Sequence, residues 1–149
     1  MGIIGEKYTK VSLVKDIMIE EVLFTDVSSS IIEVANLMST KDVGSLIVTK
    51  NEKPVGIITE RDILKKVVAK GLDPKETKVS EVMHTPLITI DSESSVFQAA
   101  ELMNMNKIRR LPAVKDDKIV GIVTVFDIIT HYREVAGWIV EALTPLLTP

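Results

Sequence analysis

The sequence predicts an α+β protein built from two β-α-β-β-α repeats, packed sheet to sheet about a pseudo-two-fold axis. Three observations predict it. The 149-residue chain is 46% apolar but only 4% aromatic. That composition calls for a core of many Val, Ile and Leu contacts, and the length suits one domain. A shift of 65 residues superposes residues 14–64 on 79–129 without a gap, with 17 of the 51 pairs identical. Within both copies, short β-rich runs and helical spacings follow one another in the same order.

The elements can be taken in chain order. Residues 22–25 (VLFT) and 87–90 (LITI) read as short extended pieces. Each leads into a serine cluster, Ser28, Ser29 and Ser30 or Ser92, Ser94 and Ser95, which supplies helix N-caps. The helices that follow place Ile31, Val34, Ala35 and Met38, or Val96, Ala99, Ala100 and Met103, on one face. Two β-rich runs come next, joined by the polar residues 50–53 or 115–118, a hairpin pattern. A second helix then runs from Thr59 to a C-cap at Gly71, and its counterpart from Thr124 towards Gly137. The repeats are thus residues 11–72 and 79–135, joined by a linker at 73–78 around Asp73-Pro74 and followed by a tail at 136–149. A three-stranded sheet covered by helices on one side leaves its other face half exposed. Two such sheets would bury a common core and form two clefts related by the same pseudo-symmetry.

The longest shared block is Gly56-Ile57-Ile58-Thr59-Glu60-Arg61-Asp62, matched by Gly121-Ile122-Val123-Thr124-Val125-Phe126-Asp127. Two readings stand. In one, Thr59 and Thr124 are N-caps, and Asp62 and Asp127 reach back to the cap amide as capping boxes. In the other the carboxylates bind a ligand. Capping boxes favour Glu or Gln where both copies carry the shorter Asp. A glycine inside a strand, three residues before each Thr, marks close approach of a ligand or of backbone. The free amides of a helix N-terminus favour phosphate, and an Asp there can accept both hydroxyls of a ribose.

A second feature distinguishes the copies. Arg109-Arg110 aligns with Gly44-Ser45, and residues 107–118 hold five basic and two acidic side chains on a molecule of net charge −3. Arginine forks pair with phosphate oxygens bidentately. The same charges also suit a solvated strand edge that resists aggregation. Arg61 has the same two readings, phosphate contact or helix surface.

Together these blocks resemble the CBS-domain family, named for repeats of the cystathionine β-synthase type. Both copies carry the G-h-x-T/S-x-x-D signature. Supporting marks are Val79-Ser80-Glu81-Val82-Met83, the helix at 94–103 and Arg110-Leu111-Pro112-Ala113-Val114. The resemblance spans residues 11–132. It implies a tandem pair, or Bateman module: a non-catalytic regulatory unit binding AMP, ADP, ATP or S-adenosylmethionine in clefts between the repeats. By the same resemblance, Asp62 and Asp127 are ribose ligands, and Thr59 and Thr124 contact ribose or phosphate. Arg109 and Arg110 match basic residues that contact phosphates in the energy-sensing CBS subunit of AMP-activated protein kinase. Gly44 and Ser45 would let an adenine or backbone approach closely, with Val43 and Ile108 as pocket walls. Such modules commonly form disc-shaped homodimers, and an effector protein would read the ligand-induced shift. Glu60-Arg61 and Val125-Phe126 differ in charge, so the two clefts are expected to be unequal.

Other classes are less well served. Without cysteine there is no disulfide, thiol nucleophile or Cys-ligated metal. His84 and His131 lack metal-ligand spacing and read as surface or satisfied histidines. No G-x-S-x-G, P-loop or G-x-G-x-x-G occurs, so neither an enzyme nor a catalytic cofactor is expected. The acidic balance opposes a nucleic-acid binder, although the 107–118 patch keeps a nucleic-acid-binding regulator as an alternative, beside a ligand-free scaffold. Neither the opening residues, with an early Glu6, nor residues 135–147, broken by Glu141 and Pro145, make an export signal or membrane span. A cytoplasmic protein without membrane contact is expected. Trp138, Ile139, Ala142 and Leu143 form an apolar stripe in the tail, expected to make a self-dimer contact.

Overall fold

The computed structural model describes residues 12–147, without the side chains of residues 135, 138, 140 and 147. The opening residues read for an export signal, the first residue of the 11–72 repeat and the Trp138 side chain of the tail stripe lie outside the described residues. Two compact units are present. A continuous unit runs Val22–Ile88; a split unit joins the described residues of Met1–Glu21 to those of Thr89–Pro149.

In the continuous unit, β1 (Phe24–Asp26) lies parallel to β2 (Ser45–Lys50), which pairs antiparallel with β3 (Lys53–Thr59). Between β1 and β2 runs α2 (Ile31–Lys41). Ser30 caps it: its hydroxyl accepts from the Glu33 amide at 3.3 Å, and the Glu33 carboxylate accepts from the Ser30 amide at 3.0 Å. Asp42 ends it in the left-handed conformation, φ 53°. The β2–β3 turn puts both Asn51 and Glu52 at positive φ, the turn whose twist matches that of paired strands. Ile31, Val34 and Met38 of α2 form one core with Leu46, Val48 and Ile58 of the sheet. Val67, Val79 and Val82 complete it. At the C-terminal end of β3, α3 (Glu60–Ile63) passes into a π-helical turn (Leu64–Val68). Its C-cap is Ala69, not the expected Gly71; Gly71, two residues further on, takes the left-handed conformation, φ 66°, where its amide donates to the Val68 carbonyl at 3.1 Å and that of Leu72 to the Val67 carbonyl at 3.0 Å.

The linker is not a loose tether. Amides of Ile31 and Ile32 donate to the carbonyls of Thr77 and Pro74, and Val79 donates to Ser29. Residues 73–79 therefore pair with the start of α2.

The split unit repeats the plan. A short α1 (Val14–Ile17) precedes β4 (Ile90–Asp91), α4 (Val96–Asn106), β5 (Arg110–Lys115), β6 (Lys118–Thr124) and α5 (Val125–Leu143). β4 is parallel to β5, and β5 is antiparallel to β6. Both hairpins carry a register shift at equivalent positions, Val48/Thr49 and Ala113/Val114.

Two further expectations need correction. The strand expected over 87–90 begins only at Ile90. In the continuous unit the Ile47 amide donates to the Leu23 carbonyl. The position equivalent to Ile47 is Pro112, which has no N–H, so the corresponding bond cannot form. Gly137 is no C-cap: α5 runs through it to Leu143. One interior glycine costs a helix about 1 kcal/mol, and Pro145 is the first proline after it.

The units are not divided where the sequence repeats. Ile57 and His84 exchange backbone hydrogen bonds, 3.1 and 2.9 Å, so the opening of the second repeat covers the edge of β3. Ile19 and Ile122 do the same at β6, both at 2.9 Å, with the opening of the first repeat. Each sheet edge is thereby closed by a segment from the other copy.

Candidate functional site

The strand-end threonines stand where β3 and β6 give way to helices, and the local fold brings most of the expected site residues to them. In the continuous unit, the Thr59 amide and hydroxyl both donate to Asp62 Oδ2, at 2.9 and 3.0 Å. The Asp62 amide donates back to the Thr59 hydroxyl at 3.3 Å. This is a complete capping box. Ser45 lies opposite Thr59 in the β2–β3 register, and the Gly44 carbonyl accepts from the Glu60 amide at 3.0 Å. Val43 is half-buried beside them in sequence, and Arg61 is exposed.

In the split unit, the Thr124 amide and hydroxyl donate to Asp127 Oδ2, both at 2.9 Å, and the Asp127 amide donates to the Thr124 hydroxyl at 3.2 Å. Arg110 stands opposite Thr124 in the β5–β6 register, and the Arg109 carbonyl accepts from the Val125 amide at 3.0 Å. Arg109 is exposed, while Ile108 and Arg110 are half-buried. Thus Arg109, Arg110, Thr124 and Asp127 meet at one strand end of one unit.

The second carboxylate oxygen separates the two cradles. Asp62, 4% exposed, turns Oδ1 to His84 Nε2 at 2.6 Å and to Lys66 Nζ at 3.5 Å. Lys66 is anchored by donating to the Val82 carbonyl at 2.9 Å. Asp127 is half-buried, and its Oδ1 has no partner among the described residues. Sequence reasoning missed Lys66 and His84. Their 65-residue counterparts are His131 and Ile19. Ile19 has no polar side chain, and His131 instead lies 2.8 Å from the Ser12 hydroxyl. That mismatch between copies was the available signal.

The strand glycines are explained by the segments that cover the sheet edges. A Cβ on Gly56 would stand 2.5 Å from the His84 carbonyl oxygen; one on Gly121 would meet Met18 Sδ at 2.5 Å and the Ile19 carbonyl at 3.0 Å. Of the two close approaches a strand glycine can mark, the chain's own covering segment makes this one. Among the described residues no group of three or more His, Asp or Glu could hold a metal. Among them too, no helix is long and apolar enough to cross a membrane.

The family model for the CBS domain matches twice, over residues 14–69 and 79–134. The chain belongs to the CBS-domain family. Among relatives of this CBS pair, uncharacterized protein MK0525 of Methanopyrus kandleri is 43% identical over 100 residues, 66% of this chain and 51% of that one. The chain spans about half the length of the first curated relatives it matches, 51% and 54%. Among solved structures, the hexameric CBS-CP12 protein from bloom-forming cyanobacteria has a TM-score of 0.77 at 34% identity, covering 81% of this chain and 72% of that one. The CBS domain pair of protein MJ0100, in complex with 5′-methylthioadenosine and S-adenosyl-L-methionine, has a TM-score of 0.74 at 30% identity, covering 84% and 98%.

Proposed function

We propose that this CBS pair is a non-catalytic regulatory module that binds an adenosine nucleotide, AMP, ADP or ATP, with S-adenosylmethionine as the related alternative. The observation that carries the reading is the Asp127 cradle: a half-buried carboxylate with one oxygen unpartnered among the described residues, beside Thr124 and the Arg109-Arg110 pair. Asp127 would accept the ribose hydroxyls, Thr124 would bond ribose or phosphate, and the two guanidinium groups would pair with phosphate oxygens. Thr59, Asp62 and Arg61 would form the second cradle, with Val43, Gly44 and Ser45 shaping the approach of adenine in that unit and Ile108 doing so beside Asp127 in the other. The MJ0100 pair, crystallised with two adenosine compounds, supports this ligand class.

The duplicated units are residues 11–72 and 79–135, and the protein acts in the cytoplasm on an effector protein. The nucleotide acts through its differential affinity for two arrangements of the module. Two copies pair through α5, whose Phe126 and Ile129 are 76% and 61% exposed, large apolar surfaces for a helix in water.

Titration calorimetry with AMP, ATP and S-adenosylmethionine tests the ligand reading. At least one is expected to bind, and Asp127→Ala to weaken it by about 10- to 100-fold, as loss of a charge-assisted hydrogen bond does. No binding of any of the three, or affinity untouched by Asp127→Ala and Asp62→Ala together, sinks the reading.

A further inference from the structure

The geometry points to His84 and Lys66 as residues that close the Asp62 cradle, so that a ribose diol enters the Asp127 cradle first and reaches Asp62 only by displacing them. The inference rests on the nucleotide reading above and adds an order of filling to it. A carboxylate grips a vicinal diol through its two oxygens, and each cradle spends Oδ2 on its own threonine. Only Oδ1 remains. At Asp62 it is held by His84 Nε2 at 2.6 Å, with Lys66 Nζ at 3.5 Å. Both are side chains of the continuous unit, so the closure needs no partner. At Asp127 the equivalent positions, Ile19 and His131, leave Oδ1 unpartnered among the described residues.

The holding residues are fixed by backbone that does not depend on the closure. His84 is tied to β3 through its own amide and carbonyl, while its side chain is 61% exposed. Lys66 sits in the π-helical turn and also donates to Val82. Removing the imidazole therefore leaves the covering segment paired and leaves Oδ1 with only the longer 3.5 Å contact to Lys66 Nζ. A ligand entering Asp62 must give up this contact first, which weakens its binding there by about 10- to 100-fold relative to an open carboxylate.

AMP titrated into the full chain, the His84→Ala variant and the His84→Ala/Lys66→Ala variant reads this directly. Wild type is expected to bind about one AMP per chain tightly, through a site weakened about 10- to 100-fold by Asp127→Asn and indifferent to Asp62→Asn. His84→Ala is expected to gain a second site, which Asp62→Asn removes again. Retention of the wild-type circular dichroism spectrum and unfolding midpoint shows that the gain is not partial unfolding. If wild type binds AMP at two equal sites, or tightly at Asp62, the closure is wrong while the nucleotide reading stands. The same holds if neither variant gains a site. If wild type and both variants alike bind none, the nucleotide reading falls and the closure with it.

Discussion

The carbonyl oxygen of His84 passes 2.5 Å from where a Cβ on Gly56 would stand. The contact is backbone against backbone, and the same His84 exchanges hydrogen bonds with the neighbouring Ile57. Gly56→Ala must push the covering segment off the edge of β3 or distort it, which costs about 1–3 kcal/mol as overpacking does. Gly121→Ala meets chiefly the flexible Met18 side chain. The smaller loss is therefore expected at Gly121. Urea unfolding midpoints of the two variants check both the size and the order.

Ser95 caps α4 as Ser30 caps α2: the Gln98 amide donates to its hydroxyl at 3.0 Å, and the Gln98 side-chain oxygen accepts from the Ser95 amide at 2.8 Å. Ser95→Ala removes one acceptor and is expected to cost ~1 kcal/mol, with Ser95→Gly costing only a few tenths. Equal losses for the two variants in thermal unfolding would show that the cap is not what stabilises this end of α4.

The acid limb of stability should carry a mark of Asp26. Hydrogen bonds from the hydroxyl and amide of Ser28 hold its carboxyl below the usual aspartate range. A depressed folded value means the contribution is complete above the unfolded value, ~3.9, and is lost as pH falls through the lower folded one. Asp26→Asn should flatten the stability–pH curve below about pH 4 and leave its slope at neutral pH unchanged. Unfolding midpoints between pH 2 and 7, roughly the span of carboxylate titration, decide it.

Pairing through α5 predicts that a double change, Phe126→Glu with Ile129→Glu, yields a monomer in sedimentation velocity while the wild type runs as a dimer. Both side chains are exposed in the single chain, so the change should leave the unfolding free energy within about 0.5 kcal/mol when measured at monomer concentrations. A wild type that is monomeric at tens of micromolar, roughly the range where weak interfaces dissociate, would overturn the pairing.

Much of the fold was legible in the residues. Ser30 and Ser95, followed three positions on by Glu33 and Gln98, spell capping boxes; the turn pairs Asn51-Glu52 and Asp116-Asp117 separate β-rich runs, and both turns form. The threonine–aspartate pairs were legible as boxes too, because every atom of a box lies within four residues. Pro112 shortened β4 through a bond it could not donate to a residue far away in sequence, and helix α5 ran past Gly137 because one glycine is a small penalty.

The sequence by itself determined the duplication, the order of elements in each copy and the local geometry at Thr59 and Thr124, since these depend on spacings of a few residues. Only the tertiary structure decided which copy's opening segment covers which sheet, and that His84 and Lys66 hold Asp62 while Asp127 Oδ1 has no partner among the described residues. Those pairings join residues 22 and 4 positions apart, and the first depends on a strand edge accepting whichever extended segment the chain can bring to it.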